Sequence, residues 1–331
     1  MPHRDVIVVG ASLGGWDAVP KLVSGFSETL DASVLIVMHT AMPGSNFARR
    51  LDAAGPLRAA AAKDGEELRP GRIYVAIAEH HLMVEGRSVR LSRGPRESHA
   101  RPSIDVLFRS AAYSCGSRVI GIVLTGRLDD GTAGLWAIKD RGGTAIVQLP
   151  DEAAEPSMPL NATKYVDVDF KLAIKDMPAV LDSLTRETVQ HLESTSMPDQ
   201  RIEIETKIAR GENALELGVR TLGAPSFQTC PECHGSMVAI DDGHFRRYRC
   251  HTGHAFSPAV LEERIRRSVE DTLYSALAQL EQYEVLLNEL QAQRSADEGG
   301  PASGTQRTRF RNLIQQVRDL AMSIAVSTPQ S

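Results

Sequence analysis

Four short runs of apolar, mostly β-branched residues in the first half of the chain constrain its fold more than any other feature. They are residues 5–9 (DVIVV), 33–38 (SVLIVM), 118–124 (RVIGIVL) and, more weakly, 144–148 (TAIVQ). Continuous apolar runs of this length are typical of strands that are buried on both faces of a parallel sheet. The chain therefore has the pattern of a sheet covered on two sides.

Helix-like stretches separate these runs, at residues 16–26, 44–54, 103–115 and 132–141. Strands that alternate with helices favour an α/β fold in which helices connect parallel strands. We therefore predict an α/β domain with a doubly wound, mostly parallel sheet, closed by a helix over residues 171–185.

The rest of the chain divides into three further parts. A length of 331 residues suggests two or three structural units. We predict an α/β domain over residues 1–185, and a linker over 186–229 that contributes one strand (RIEIETKIA). A small zinc-ribbon-like module follows over 230–256, and C-terminal helices over 257–331.

The C-terminal helices carry two heptad seams, in which apolar residues alternate three and four positions apart. The first seam consists of Leu273, Ala276, Leu280, Tyr283, Leu287 and Leu290, and the second of Phe310, Leu313, Val317, Leu320 and Ile324. Residues 295–306 break the pattern with Gly, Pro and Ser. We expect an antiparallel hairpin, a homodimer contact or a seam for another partner.

The composition excludes two broad classes of protein. The formal net charge is −5, which gives no basic surface for nucleic acid. No apolar stretch approaches the ~20 residues that a membrane-spanning helix requires, and the N-terminal residues show no signal-peptide pattern. We expect a cytoplasmic chain that is not an integral membrane protein and has no nucleic-acid partner.

Three residues of distinct chemistry follow the ends of predicted strands. Ser12 lies in a Gly-rich turn after the first run, His39 directly follows the second, and Asp130 follows the third. Reacting groups in open α/β sheets gather at the carboxyl ends of the strands. A serine hydroxyl becomes a good nucleophile when an imidazole takes its proton, and a carboxylate then orients that imidazole. The residue types therefore fit a serine hydrolase.

Each of these residues also has a less specific interpretation. The turn around Ser12 could cradle a phosphate, although Gly10-Ala-Ser-Leu-Gly14 does not match the dinucleotide fingerprint. His39 could be an ordinary polar residue at a strand end. Asp130 could cap a helix that begins near Thr132.

Five segments resemble the CheB-type protein-glutamate methylesterase family, in the family's order and over residues 4–185. They are DVIVVGASLGGWDAV, SVLIVMHTAMPGSNFARRL, DGEELRPGRIYVAIAEHHL, RPSIDVLFRSAA and LTGRLDDGTAGL. The resemblance implies that Ser12 is the nucleophile, His39 the general base and Asp130 the orienting acid. It also implies hydrolysis of glutamate γ-methyl esters on chemoreceptors, with glutamine deamidation in many members and no cofactor for catalysis.

The chain departs from the family pattern at the residues that would surround the nucleophile. Leu13 replaces a small hydroxyl residue, and Arg127-Leu128 replaces a Met-Gly pair. We expect the backbone N–H groups of Leu13 and Arg127 to be the oxyanion donors, and we expect strain at Leu128, because leucine adopts a positive φ at a cost. The sequence opens directly with the esterase-like segment, so we also expect regulation without a receiver domain.

A cluster of cysteines near residue 240 has the spacing of a metal site. Cys230 and Cys233 form a C-x2-C pair, and Cys250 with His254 forms a C-x3-H pair sixteen residues further on. This spacing predicts a structural Zn²⁺, with His251 and His234 as alternative fourth ligands.

Cys115 lies outside this cluster, and we expect it to be a small buried apolar residue. We expect His80, His81 and His99 to lie in polar, solvent-facing loops.

Two other functions compete with the esterase. A catalytically weak signalling adaptor on an esterase scaffold would act through the zinc module and the heptad helices. A nucleotide-binding enzyme needs a ribose-binding carboxylate at the end of the second strand, where this chain has His39 instead. The sequence leaves open the identity of the receptor, the pathway, the regulator and the oligomeric state.

Overall fold

The structure is a computed structural model that describes residues 3–39, 45–189, 199–243, 245–298 and 304–326. Residues 190–198 of the predicted linker and 299–303 of the predicted heptad break lie outside the described residues. Residues 1–260 and 261–331 form two compact units, which are described separately.

The described residues form strands and helices in the following order. They are β1 (Val6–Ala11), α1 (Gly15–Ser24), β2 (Ser33–Met38), α2 (Ser45–Ala54), β3 (Arg58–Ala61), β4 (Arg72–Val75), β5 (His81–Glu85), β6 (Ser88–Ser92), α3 (Ile104–Cys115), β7 (Val119–Val123), α4 (Thr132–Asp140), β8 (Thr144–Gln148), α5 (Ser157–Tyr165), β9 (Phe170–Leu172), α6 (Met177–Leu184), α7 (Asp199–Arg210), β10 (Ala224–Thr229), β11 (Ser236–Asp242), β12 (Phe245–Cys250), β13 (Ala255–Phe256), α8 (Pro258–Glu298) and α9 (Gly304–Val326). Short 3₁₀ turns occupy Gly116–Arg118, Pro150–Glu152, Ile174–Asp176 and Val219–Thr221.

The main sheet is parallel throughout and has the strand order β3-β4-β2-β1-β7-β8-β9. The four predicted strands are β1, β2, β7 and β8, so the predicted α/β class and doubly wound sheet are confirmed. The edge strands β3 and β9 and the neighbouring strand β4 are only three or four residues long and were not predicted.

Alternate residues of β1 supply the two halves of the core. Val6 and Val8 face a layer built by α3, α4 and α5, whereas Ile7 and Val9 face a layer built by α1, α2 and α6. All four side chains are buried. Because side chains of a strand point alternately to opposite faces, a continuous apolar run is what a two-sided sheet requires.

The prediction of a strand at RIEIETKIA is wrong, because these residues belong to α7. Ile202 joins the core of the α/β domain, and Ile204 and Ile208 pack with β11 in a second cluster. Glu205 is fully buried on the same helix. Ile and Glu alternate in this segment, as inward and outward residues do in a strand. The helical period is not visible in the sequence, because Glu205 is polar although it is buried. Helix α7 therefore packs against the domain and β10 belongs to a second sheet, in contrast to the predicted linker.

Strands β10 to β13 form a separate antiparallel sheet, the ribbon, over residues 224–256. A cluster of buried charges joins this ribbon to the α/β domain. It contains Glu97, Arg109, Glu205, Asp242, Arg247 and Arg249, all at most 4% exposed.

Arg249 links the three parts of this cluster. Its guanidinium donates to Glu97, which also pairs with Arg109 of α3 at 2.6 Å, and to Glu205 of α7. Arg247 donates to Glu205 at 2.6 Å. Burial opposes ionisation, but these arginines hold the pKa of Glu205 well below its usual range. The three carboxylates and three guanidinium groups therefore neutralise each other inside the protein.

The second unit contains an antiparallel pair of helices, which is one of the arrangements that the heptad pattern left open. Glu284 pairs with Arg311 at 2.7 Å and Glu281 with Arg318 at 2.5 Å, so α9 runs back along α8. Within α9, Ile314 and Ala321 are buried.

The predicted phase of the second seam is wrong at two positions, because Leu313 and Leu320 are 44% and 51% exposed. The sequence pattern does not decide whether the buried side of the helix contains Leu313 and Leu320 or the residues that follow them, Ile314 and Ala321. Packing against α8 selects the phase that buries Ile314 and Ala321.

Among the described residues, no helix is both long enough and apolar enough to span a bilayer.

The buried charge cluster predicts that Glu205→Gln lowers the free energy of unfolding by roughly 3 kcal/mol, because it leaves buried arginines without full compensation. Equilibrium urea unfolding measures the effect. Asp241→Asn is the matched control, since Asp241 pairs with Arg246 at 2.7 Å while both side chains are more than half exposed. The control should change the stability by less than about 1 kcal/mol. Equal effects of the two substitutions would contradict the role of the cluster.

Candidate active site

The register of the central strands brings Ser12, His39 and Asp130 to one edge of the sheet. Ala11 pairs with Met38, so Ser12 and His39 are the next residues of neighbouring strands, and the His39 N–H donates to the Ala11 carbonyl at 3.0 Å. Asp130 follows β7, on the other side of β1. The chain leaves β1 toward β2 and later returns to β7, so this edge is the topological switch point where open α/β sheets bind ligands.

Ser12 lies in a tight turn between β1 and α1. Its N–H donates to the Thr125 carbonyl at 2.9 Å, and Gly14 adopts the left-handed conformation at φ 84°. A Cβ added to Gly126 would lie 2.7 Å from the Ser12 Cβ and 2.0 Å from the Met158 sulfur. Glycine at this position therefore allows the loop after β7 to approach the serine closely.

The side chains of His39 and Asp130 contact each other beside this turn. The His39 Nε2 lies 2.9 Å from the Asp130 Oδ2, with the imidazole 25% exposed and the carboxylate 6% exposed. The imidazole therefore reaches solvent on one side while the carboxylate behind it is enclosed. This is the arrangement in which a carboxylate orients a histidine and stabilises its protonated form.

The Asp130 carboxylate is held by the N-terminus of α3. It accepts hydrogen bonds from the N–H groups of Ile104 at 2.8 Å and Asp105 at 3.1 Å, and from the Ser103 hydroxyl at 3.0 Å. Burial alone would raise the pKa of Asp130, but the adjacent His39 and these donors lower it below its usual value. Free N–H groups and the helix dipole favour an anion here, so Asp130 stays ionised without solvent.

Asp130 does not cap the helix that begins at Thr132, contrary to the less specific interpretation of this residue. That cap is supplied by Asp105, which accepts from the N–H groups of Gly131 at 3.0 Å and Gly134 at 2.7 Å. Asp130, in the loop before α4, caps α3, and Asp105 of α3 caps α4. Burial first, and then the charge of Asp130, raise the pKa of Asp105 well above its usual value.

His81 supports this arrangement, and the prediction that it faces solvent is wrong. The side chain is fully buried, its Nδ1 accepts from the Ser103 N–H at 3.3 Å, and its Nε2 lies 3.0 Å from the Pro95 carbonyl. Burial lowers the pKa of His81 to about 4, so the ring is neutral at pH 7. Its position directly after a polar turn gives no sequence signal for burial, because the enclosing residues come from distant segments.

Leu13 and Leu128 border the site and are 57% and 36% exposed. Leu128 adopts φ 63°, as expected for a residue that replaces a glycine in the family motif. The Asn161 side chain donates to its carbonyl at 2.9 Å and helps to hold this conformation.

The backbone N–H groups near Ser12 differ in their availability. The N–H groups of Ser12 and Gly126 are already used, by the carbonyls of Thr125 and Glu155. Within the described part of the chain, the N–H groups of Leu13 and Arg127 donate to no other residue.

Asp129 connects the site to the ribbon. It is 5% exposed and accepts a hydrogen bond from the Ser257 hydroxyl at 2.7 Å. Burial raises the pKa of Asp129 to about 6, although the hydrogen bond from Ser257 opposes the shift. The residue before Asp130 is thus tied to the segment that follows the ribbon.

The predicted metal ligands also come together. Single ligand atoms of Cys230, Cys233, Cys250 and His254 all lie within 4.8 Å of one another. The structure therefore places His254 in the cluster. The ring of the alternative ligand His251 packs where a Cβ added to Gly235 would lie, 2.0 Å away.

The family model described as CheB methylesterase matches residues 7–181, which is about half of the chain. A crystal structure of the Thermotoga maritima CheB methylesterase catalytic domain is also similar. It superposes with a TM-score of 0.53 at 28% identity, over 56% of this chain and 100% of that domain.

Three curated relatives show how much of the chain is shared. A protein-glutamate methylesterase/protein-glutamine glutaminase of Methanosarcina mazei is 35% identical over 55% of this chain and 52% of its own length. A Myxococcus xanthus relative of that name is 40% identical over 47% of this chain and 46% of its own length. A Leptospira interrogans relative, named a putative protein-glutamate methylesterase/protein-glutamine glutaminase, is 32% identical over 57% of this chain and 98% of its own length. The chain thus spans about half the length of the first two.

The positive φ of Leu128 predicts that Leu128→Gly is more stable than Leu128→Ala by about 1 kcal/mol. The left-handed conformation costs a residue with a Cβ about 1–2 kcal/mol, and the greater flexibility of unfolded glycine offsets part of the gain. Urea unfolding of the two variants, which both lack the leucine side chain, isolates the backbone effect. Equal stability, or a more stable alanine variant, would contradict the assigned strain.

The raised pKa of Asp129 predicts a pH-dependent difference between the wild type and Asp129→Asn. The folded-state pKa of about 6 exceeds an unfolded value of about 3.9, so the protonated form favours folding. The stabilising contribution is complete below pH 4 and is lost as the pH rises through 6. Relative to Asp129→Asn, the wild type should lose about 2 kcal/mol between pH 4 and pH 8. A constant difference across urea unfolding at these pH values would refute the shift.

Proposed function

Because this chain belongs to the CheB methylesterase family, we propose that it hydrolyses glutamate γ-methyl esters on chemoreceptors or related signalling proteins. The observation that carries the proposal is the His39–Asp130 pair at 2.9 Å, beside Ser12 at the switch point of the sheet. The names of the relatives, protein-glutamate methylesterase/protein-glutamine glutaminase, support the same chemistry.

Ser12 is the nucleophile in this proposal. His39 takes the hydroxyl proton as the Ser12 oxygen attacks the ester carbonyl, and then gives that proton to the departing methoxide, which leaves as methanol. Water, deprotonated by His39, attacks the acyl-enzyme and releases the glutamate carboxyl group and free Ser12. Asp130 contacts Nε2 of the ring. The other ring nitrogen, Nδ1, is therefore the one that exchanges the proton.

The two unused N–H groups provide the oxyanion donors. Those of Leu13 and Arg127 flank the serine, while those of Ser12 and Gly126 are engaged elsewhere. Leu13 also lies just before α1, whose N-terminus favours a developing negative charge. Loss of one such donor typically lowers kcat by about 10²–10³-fold.

Deamidation of glutamine fits the same geometry, because an amide carbonyl forms the same kind of tetrahedral intermediate and His39 gives the Ser12 proton to the amide nitrogen, which leaves as ammonia. The adaptor alternative is not favoured, since an adaptor would not need an enclosed ionised carboxylate behind the imidazole. We propose a cytoplasmic location, where the substrate would be the methylated helices of a receptor. Catalysis in this scheme uses protein groups alone.

Ser12→Ala tests the proposal most directly. Without the hydroxyl no acyl-enzyme forms, so the initial rate of methanol release from methylated receptor membranes should fall by at least about 10³-fold. His39→Ala should cost a similar factor, because the residues act as a unit. Circular dichroism checks that both variants remain folded.

Ser24→Ala is the matched control for this measurement. Ser24 is exposed at the other end of α1, and its loss should leave methanol release unchanged. Near-normal turnover by Ser12→Ala would overturn the triad, and no methanol release by the wild type would overturn the substrate class.

A further inference from the structure

The ribbon brings four ligand atoms to the spacing of a tetrahedral metal site. The Cys233 and Cys250 sulfurs lie 3.6 Å apart, and the His254 Nδ1 lies 3.6 Å from the Cys250 sulfur and 3.7 Å from the Cys230 sulfur. Zn–S bonds of about 2.3 Å and Zn–N bonds of about 2.0–2.1 Å give tetrahedral edges of about 3.8 Å for S···S and 3.6 Å for S···N. These three edges agree with the expected values, and all four ligand atoms lie within 4.8 Å of one another.

The backbone holds two of these ligands in a tight turn. The Cys230 N–H donates to the Gly235 carbonyl at 2.9 Å, and the His234 N–H donates to the Cys230 carbonyl at 2.8 Å. The Glu232 N–H points at the Cys230 sulfur at 3.4 Å, as an N–H does toward a thiolate. A sulfur separation of 3.6 Å between Cys233 and Cys250 is far from the roughly 2.05 Å of a disulfide. The turn is thus shaped for a metal and not for a cross-link.

The ribbon is too small to be stable through its apolar core alone. It has four short strands, and every residue of β10 is exposed except the half-buried Ser226. Modules of this size usually need a metal or disulfides to fold. Three thiolates and one imidazole select Zn²⁺, and four protein ligands leave no position open for substrate.

The ribbon contacts both segments that hold Asp130. On one side β13 lies along the loop before α3, where the Ser98 N–H donates to the Ala255 carbonyl at 2.7 Å. That loop leads into Ser103, which donates to Asp130. On the other side Ser257 directly follows β13 and donates to Asp129.

We propose that Cys230, Cys233, Cys250 and His254 bind one structural Zn²⁺, and that the ribbon closed by this ion positions the Asp130 loop through Ser257. The metal part stands independently of the proposed function. The positioning part rests on it, because Ser257 acts through Asp129 on the carboxylate that orients His39.

Elemental analysis of the full chain, purified without chelators, tests the metal site. One zinc per chain is expected, and Cys233→Ser should lower the bound zinc at least fivefold and lower the thermal unfolding midpoint. Cys115→Ala is the matched control, because Cys115 is a buried cysteine outside the ribbon and its loss should leave the zinc content at one. Iron in place of zinc, less than 0.2 zinc per wild-type chain, or full zinc in Cys233→Ser would overturn the site.

The contact from Ser257 is tested by Ser257→Ala and Ser257→Thr in zinc-loaded protein. The alanine variant should keep its zinc and its KM but lose at least about tenfold in kcat for methanol release, since a misplacement of about 1 Å can cost 10²-fold. Threonine keeps the hydroxyl and should restore most of the rate. An unchanged kcat in Ser257→Ala, or a loss that threonine does not restore, would refute the positioning role.

These measurements separate the two hypotheses. Zinc content does not depend on any activity, so wild-type protein with one zinc and no methanol release would overturn the proposed function together with the positioning role of Ser257, and the metal site would stand. An active wild type without zinc would overturn the metal site alone.

Discussion

The carboxylate of Asp130 at the N-terminus of α3 is the interaction on which the candidate site depends. It accepts hydrogen bonds from two backbone N–H groups and from the Ser103 hydroxyl, and it also contacts His39. An isolated carboxylate at this depth would be protonated, because burial penalises the charged form. The helix terminus removes that penalty, so one group both completes α3 and provides the negative charge that the imidazole requires. Asp130 therefore serves both the capping of α3 and the proposed reaction.

A second constraint extends from the same helix. Arg109 of α3 pairs with Glu97, and Arg249 of the ribbon joins Glu97 to Glu205 of α7. Each of these charges would be costly to bury alone, and Glu205 and Arg249 are compensated only when the α/β domain, α7 and the ribbon are assembled. The ribbon is thus attached by groups that cannot be satisfied in its absence. This explains why residues 1–260 behave as one unit although they contain three sheets.

The family comparison covers the α/β domain, whereas the features particular to this chain lie at its border and beyond it. Leu13 follows Ser12 and Leu128 lies two residues before Asp130; both have exposed apolar side chains, and Leu128 adopts a positive φ. The match ends at residue 181, before α7 and the ribbon begin. The charge cluster and the Ser257–Asp129 contact therefore connect a shared catalytic domain to parts for which the family model gives no information.

The sequence by itself determined the α/β class, the central strands and the positions of Ser12, His39 and Asp130 at strand ends, because these follow from local periodicity and from the geometry of parallel strands. It also determined the metal spacing, since C-x2-C and C-x3-H pairs are local. Only the tertiary structure decided that Glu205 makes RIEIETKIA a helix, that His81 is buried, and that Asp130 caps α3 while Asp105 caps α4. In each case the deciding partner is distant in the chain. A charge or an imidazole is polar in any sequence pattern, and it becomes part of the core only when remote residues supply its counter-charge or its hydrogen bonds.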